Sequence, residues 1–176
     1  MPSLHSVWSR LPESLRRALA DSIGPTLLPE GELAPEWALQ SWDDSWHRVN
    51  PGRWALLVFY PGDGTPGCTR QLDELQAHAA RLGALGVDLY AINPADAASH
   101  KAFAQAQGYS FPLLTDRGSA VARRFRATLP PFGKVLRTVY LVNPERKIRL
   151  ANRGAPAVAA IVRSVEALQQ ATRGKM

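Results

Sequence analysis

The sequence predicts an α/β domain, a central mixed sheet flanked by helices, preceded by a short N-terminal helical extension. Three observations predict it. Two apolar runs, Ala55 to Tyr60 and Val87 to Ile92, have the length and continuity of strands buried on both faces, the pattern of parallel strands covered by helices. Each is followed by a segment with helical spacing, and strands alternating with helices pair in parallel through right-handed crossovers. Toward the C-terminus, Leu136 to Val142 and Ile148 to Ala151 flank the turn Asn143-Pro144-Glu145-Arg146, a hairpin that adds antiparallel strands at one side.

In chain order, residues 1–28 form the extension and residues 29–176 the domain. Pro12, Glu13 and Ser14 open a helical pattern with Leu11, Leu15, Ala18, Leu19 and Ile23 on one side, stopped by Gly24-Pro25. Its expected resting place is its own domain, because the stripe is short and its flanks carry mixed charge. Gly31 to Pro35 is a loop, and the alternation of Trp37 and Leu39 predicts an edge strand. Trp42, Trp46 and His47 lie in a polar stretch ending at the turn Asn50-Pro51-Gly52. After the central strand, Leu72, Leu75, Ala79 and Leu82 share one helical face, and Gly83 and Gly86 end that helix. Asn93 to Asp96 starts a further helix anchored by Phe103 and ending near Gly108. Phe111 to Asp116 is a short strand, Ser119 to Phe125 a short helix, and Ala157 to Ala171 a closing helix with Val158, Ile161, Val165 and Leu168 as its stripe.

With 176 residues, 45% of them apolar, the chain suits one domain with a real core. No apolar run approaches the roughly 18 to 20 residues that cross a bilayer, so no membrane association is expected. The N-terminal segment lacks the apolar centre of a secretory signal, and Glu13 and Asp21 argue against a transit peptide, so the expected location is cytoplasmic. The net charge of +6 is dispersed over Arg16-Arg17, Arg123-Arg124-Arg126, Arg146-Lys147-Arg149 and Arg153, with no stacking aromatics interleaved. That distribution reads as solvated faces rather than a nucleic-acid surface. No cofactor is expected: no His/Cys/Asp cluster has metal-ligand spacing, and no Gly-rich phosphate loop or dinucleotide fingerprint is present.

The single cysteine, Cys68, excludes an internal disulfide, so any redox chemistry must use one thiol. A lone cysteine is often only a small core hydrophobe. Its surroundings point elsewhere. Cys68 falls in the first turn of the helix after the central strand, where unpaired N–H groups and the helix dipole favour a thiolate. Pro61 has no N–H and can wall off a thiolate without donating to it. Thr65 is a good N-cap type whose hydroxyl can reach the sulfur or a substrate, and Gly67 allows close backbone approach. The layout puts this turn at the carboxyl end of a central strand, where ligands bind in open α/β sheets.

These residues resemble the peroxiredoxins, specifically the bacterioferritin-comigratory or PrxQ type. The family pattern Pro-x-x-x-Thr-x-x-Cys is matched by Pro61, Thr65 and Cys68, and Phe59-Tyr60-Pro61 and Thr65-Pro66-Gly67-Cys68-Thr69 extend the match. Arg137-Thr138-Val139-Tyr140-Leu141-Val142-Asn143-Pro144 resembles the family's arginine-led strand, Gly31 to Leu39 its opening segment, and Phe111 to Asp116 a further stretch. The resemblance spans roughly residues 29 to 165 and implies a thioredoxin-like fold with Cys68, Thr65, Pro61 and Arg137 as the catalytic set. Two positions depart from it. Asp73 stands where many such proteins carry a resolving cysteine, and Gln71 where glutamate is usual.

The resemblance therefore implies a one-cysteine, thiol-dependent peroxidase acting on hydrogen peroxide or alkyl hydroperoxides. The Cys68 thiolate would attack one peroxide oxygen and become a sulfenic acid as the O–O bond breaks and water or an alcohol leaves. Arg137, the Cys68 N–H and the Thr65 hydroxyl would stabilise the charge developing on the leaving oxygen. An external thiol, a thioredoxin, glutaredoxin or low-molecular-weight thiol, must then reduce the sulfenic acid, and excess peroxide would carry it to sulfinic acid. The expected assembly is a monomer or weak homodimer. His78 lies ten residues along the same helix, about 15 Å away, and His47 and His100 are expected to be surface or core histidines. The alternative is a non-turnover peroxide sensor on the same fold, motivated by the missing resolving cysteine, Gln71 and the N-terminal extension.

Overall fold

A computed structural model describes Pro12, Leu15 and residues 24–174. The amphipathic helix expected before Gly24 otherwise lies outside these residues. The segment that follows is tied to the domain: Pro25 O accepts from Arg153 Nη2 (2.8 Å), Thr26 O from Arg126 Nη1 (3.2 Å), and Leu28 is buried.

The elements run β1 (Ala38–Ser41), β2 (Trp46–Arg48), β3 (Trp54–Phe59), α1 (Pro66–Ala84), β4 (Val87–Asn93), α2 (Ala97–Gln107), β5 (Leu113–Thr115), a 3-10 turn, α3 (Ala120–Arg124), β6 (Thr128–Leu129), β7 (Lys134–Val135), β8 (Thr138–Val142), β9 (Ile148–Arg153) and α4 (Val158–Arg173). Seven strands form one mixed sheet in the order β2-β1-β5-β4-β3-β8-β9. β3 pairs in parallel with β4, and β4 with β5, while β8 runs antiparallel to both β3 and β9. This is the mixed sheet with a C-terminal antiparallel hairpin that the sequence predicts.

The unbroken apolar runs have a direct cause. Leu56, Val58 and Tyr60 enter a core shared with α1, α2 and α4, while Ala55, Leu57 and Phe59 enter a second core with Trp37, α3 and Phe125 on the opposite face. β4 and β8 alternate in the same way. With both faces covered, these strands have no solvated polar face, and the half-buried Asp88 at the start of β4 is paired with Arg53. In the second core, Phe59, Phe125 and Tyr140 form an aromatic cluster with centroid separations of 5.3, 5.4 and 6.5 Å.

The fully buried Tyr140 also closes a polar gap in that core: its hydroxyl donates to Phe125 O (2.8 Å) and accepts from Leu28 N (3.2 Å). Tyr140→Phe leaves both backbone groups without that partner and should cost about 1–3 kcal/mol, read from the midpoint and slope of urea unfolding.

Two local expectations change. The strand containing Leu39 is not the edge: β1 lies between β2 and β5, and Trp46–Arg48, expected to be a polar stretch, is the edge strand. The hairpin joining them carries no Asn-Gly signal. It is closed instead by the Asp43 carboxylate, which accepts from Ser45 N (3.1 Å), Ser45 Oγ (2.6 Å) and the Ser41 hydroxyl. Bonds from the Ser41 and Ser45 hydroxyls hold this carboxyl at about 2, and Asp44 takes φ 65°. The second change is the small β6–β7 ladder, Thr128 with Val135 and Leu129 with Lys134, which is too short to leave a period-2 pattern.

Candidate active site

α1 starts where the sequence places it. Thr65 is the N-cap with extended backbone, Pro66 occupies the first turn, and Cys68 follows in that turn. Pro66 suits this position because a first-turn N–H has no intrahelical partner. Thr65 caps by its backbone only: Thr65 O accepts from Thr69 N and Thr69 Oγ1, both at 2.9 Å, whereas its side chain makes no capping bond. The Thr65 hydroxyl is thus left uncommitted on an exposed residue. Pro61 is half-buried, one step beyond Tyr60 at the carboxyl end of β3.

Arg137 reaches Cys68 from 69 residues away. β3 and β8 pair with Phe59 opposite Thr138, so the next step of the register sets Arg137 beside Tyr60, at the sheet end from which α1 departs. Its backbone is held there by Gly154 N donating to Arg137 O (2.7 Å). The guanidinium Nη2 lies 3.5 Å from Cys68 Sγ. Cys68 is wholly buried and belongs to the core packed by α1. The site is a cation against a sulfur at a helix N-terminus, shielded from bulk water, an arrangement that favours negative charge at that point.

The surroundings of Gln71 and Asp73 differ sharply. Gln71, one turn after Cys68, is buried at 6% exposure, and its Oε1 has no hydrogen-bond partner among the described residues. A neutral amide is cheaper to hold there than an unpaired carboxylate. Asp73 sits on the exposed side of α1 and accepts from the Tyr109 hydroxyl at 2.9 Å. Burial and that bond push the Tyr109 hydroxyl well above the usual tyrosine range.

A second polar cluster, not anticipated from the sequence, stands beside the turn. Asp63, between Pro61 and Thr65, accepts on Oδ1 from the Tyr60 hydroxyl (2.7 Å) and Asn93 Nδ2 (2.7 Å). Its Oδ2 accepts from the Ser99 hydroxyl (2.7 Å) and contacts His100 Nδ1 (2.9 Å). Burial alone would raise the Asp63 carboxyl, but the bonds from His100, Tyr60 and Ser99 outweigh it and hold the group at about 2. Burial, then the Asp63 carboxylate, push the Tyr60 hydroxyl far above its ordinary value, so it remains a donor. His100 is a core histidine, as expected, but it is tied to the active turn.

The depressed Asp63 value is linked to stability. Because the folded value lies below the ordinary 3.8, the contribution is present above pH 4 and is lost as pH falls toward 2. With the side chain only 7% exposed, the linked stability is about 2 kcal/mol. Urea unfolding at pH 7 and pH 3 should show about half of this loss in the native chain and a smaller one in Asp63→Asn.

Among the described residues, no group of three or more His, Cys, Asp or Glu side chains could hold a metal ion, and no helix is long and apolar enough to cross a membrane.

Comparison with known proteins agrees with this geometry. Residues 31–151 match the AhpC/TSA family model. The chain is 32% identical over 130 residues to the chloroplastic peroxiredoxin Q of Triticum aestivum, covering 73% of this chain and 60% of that protein. It is 29% identical over 127 residues to peroxiredoxin Bcp of Xanthomonas campestris pv. campestris, covering 65% of this chain and 79% of that one. Among solved structures, Xanthomonas campestris peroxiredoxin Q superposes with a TM-score of 0.68 at 25% identity, over 74% of this chain and 90% of that one. Peroxidoxin BcpB of Mycobacterium tuberculosis does so at 0.73 and 21%, over 80% and 97%, which bears on the fold alone. The thioredoxin-like fold, the matched family model and these relatives together show that the chain belongs to the AhpC/TSA family, alongside the peroxiredoxins of Q/Bcp type.

Proposed function

We propose that the protein is a one-cysteine peroxiredoxin that reduces hydrogen peroxide and organic hydroperoxides through a sulfenic acid on Cys68. The observation that carries this reading is the Arg137 guanidinium 3.5 Å from the buried Cys68 sulfur at the first turn of α1. Relatives named as peroxiredoxins support it, and one solved structure, a Xanthomonas campestris bacterioferritin comigratory protein, is described by its alkyl peroxide reduction activity. They favour turnover over a one-shot sensor.

In this reading the Cys68 thiolate attacks the nearer peroxide oxygen. The S–O bond forms as the O–O bond breaks, the sulfur is oxidised by two electrons, and the departing oxygen takes up a proton to leave as water or alcohol. Arg137 stabilises the thiolate and then the departing oxygen, a role worth more in a water-excluded site than in solution. The uncommitted Thr65 hydroxyl is available as a further donor, while Pro61, lacking an N–H, shields the sulfur without competing for it. With Asp73 at the fifth position after Cys68, the sulfenic acid passes to an external thiol such as a thioredoxin, a glutaredoxin or a low-molecular-weight thiol.

Steady-state peroxide consumption with each thiol tests this, combined with intact mass after graded peroxide. Many equivalents of peroxide should be consumed per chain with a competent thiol, and without it one oxygen should be gained per chain at one equivalent of peroxide. Consumption that stops at one equivalent with every thiol would establish the sensor reading instead.

A further inference from the structure

The Asp63 cluster ties α2 to the carboxyl ends of two hydrogen-bonded strands, β3 and β4. Tyr60 directly follows β3, Asn93 ends β4, and Ser99 and His100 belong to the first turn of α2. All four reach the two oxygens of one carboxylate at 2.7 to 2.9 Å. The donors are deeply placed: Tyr60, Asn93 and His100 are each 0% exposed. The other ring nitrogen of His100, Nε2, is buried with no partner among the described residues, so Asp63 supplies the hydrogen-bond partner shown for that imidazole. Asn93 is itself fixed, its Oδ1 accepting from Ala95 N at 2.6 Å. Ser99 N donates to the N-cap Asp96 at 2.9 Å.

Such convergence is more than the turn needs to close. A chain reversal containing Gly62 and Gly64, the latter at φ 68°, is intrinsically loose. A carboxylate in its middle, accepting four bonds from the rigid sheet and α2, removes that looseness at the point where Pro61 and Thr65 must face the sulfur. Arg137 comes from the other side, one residue before β8, with its backbone held by Gly154 rather than by this carboxylate.

We propose that Asp63, held by His100, is a positioning residue of the peroxide reaction: it fixes the turn carrying Pro61 and Thr65 over Cys68, and so acts on the peroxide oxygens rather than on the thiol. The inference rests on the peroxidase reading of Cys68. It predicts a selective defect, because reactions of Cys68 that use no oxygen-directed donor should not feel the loss.

The test compares two rates in the full chain, oxidation of Cys68 by hydrogen peroxide and alkylation of Cys68 by iodoacetamide. Asp63→Asn should slow oxidation by about 10- to 100-fold, the scale of a misplacement near 1 Å, with alkylation unchanged or faster. His100→Leu should show the same selective loss, and His100→Asn, which restores a donor, should recover most of the oxidation rate. If His100→Leu does not fold, Ser99→Ala removes a single donor and should show the same selectivity to a smaller degree. Unchanged oxidation in Asp63→Asn, or oxidation and alkylation falling by one common factor, would overturn the proposal. A native chain oxidised no faster than free cysteine would defeat the peroxidase reading itself, an outcome visible before any variant is compared.

Discussion

Cys68→Ser should abolish peroxide consumption, down to the rate of buffer alone, with every thiol supplied. The chemistry needs a nucleophile that is ionised, or nearly so, at neutral pH and that can accept an oxygen atom. A free thiol near pKa 8.5 meets the first condition in part and the second fully, and a serine hydroxyl meets neither. The swap is close in size, and the fully buried position next to Arg137 gives the new hydroxyl a polar neighbour, so folding should survive. Because the chain has one cysteine, the variant has no other thiol to obscure the result. Intact mass should show no oxygen gained at peroxide levels that fully oxidise the native chain, and any gain at low peroxide would place the reactive group elsewhere.

Arg137→Ala should lower the rate of Cys68 oxidation by about 10²- to 10³-fold, the usual cost of removing one donor from a site of developing negative charge. Two contributions combine. The guanidinium lies against the sulfur in the resting state, so its loss removes a charge-assisted donor from the reacting atom. In the peroxidase reading the same group also donates to the oxygen that departs, so the transition state loses more than the ground state. Arg137→Lys separates them: a lysine retains the charge but not the planar fork that serves two atoms at once. It should recover part of the alkylation rate at neutral pH and less of the oxidation rate. Stopped-flow oxidation and iodoacetamide alkylation measured across pH would show the split, and wild-type kinetics in Arg137→Ala would mean that another group stabilises the charge.

β3, β4 and β8 were readable because helices or loops cover both faces of the sheet, turning Leu56 to Tyr60 and Val139 to Val142 into apolar runs without a polar side. α1 was readable from Leu72, Leu75 and Leu82, all buried. β2 was not: its alternation of exposed and half-buried residues carries no apolar signal, and its place rests on backbone pairing and a turn closed by Asp43. The pairing of Cys68 with Arg137 is a product of register across the sheet, visible in the sequence only through the resemblance of both segments to one family. Asp63 and His100 had no such guide. They are 37 residues apart on different elements, and a lone histidine on an apolar helix face looks the same whether it is inert or bonded to a buried carboxylate.

The complete burial of Cys68 sets two different clocks on its fate. Hydrogen peroxide is a two-oxygen molecule, the smallest of the reactants that must reach this sulfur. A protein thiol is far larger and must approach in line with the new S–O bond, so the complete burial of Cys68 in the first turn of α1 hinders it more than it hinders a peroxide. Access to the sulfur therefore bears more heavily on repair by a protein thiol than on oxidation. In the peroxidase reading, the balance between recycling and over-oxidation then depends on how firmly Pro66, Gly67 and the backbone bonds to Thr65 hold that turn.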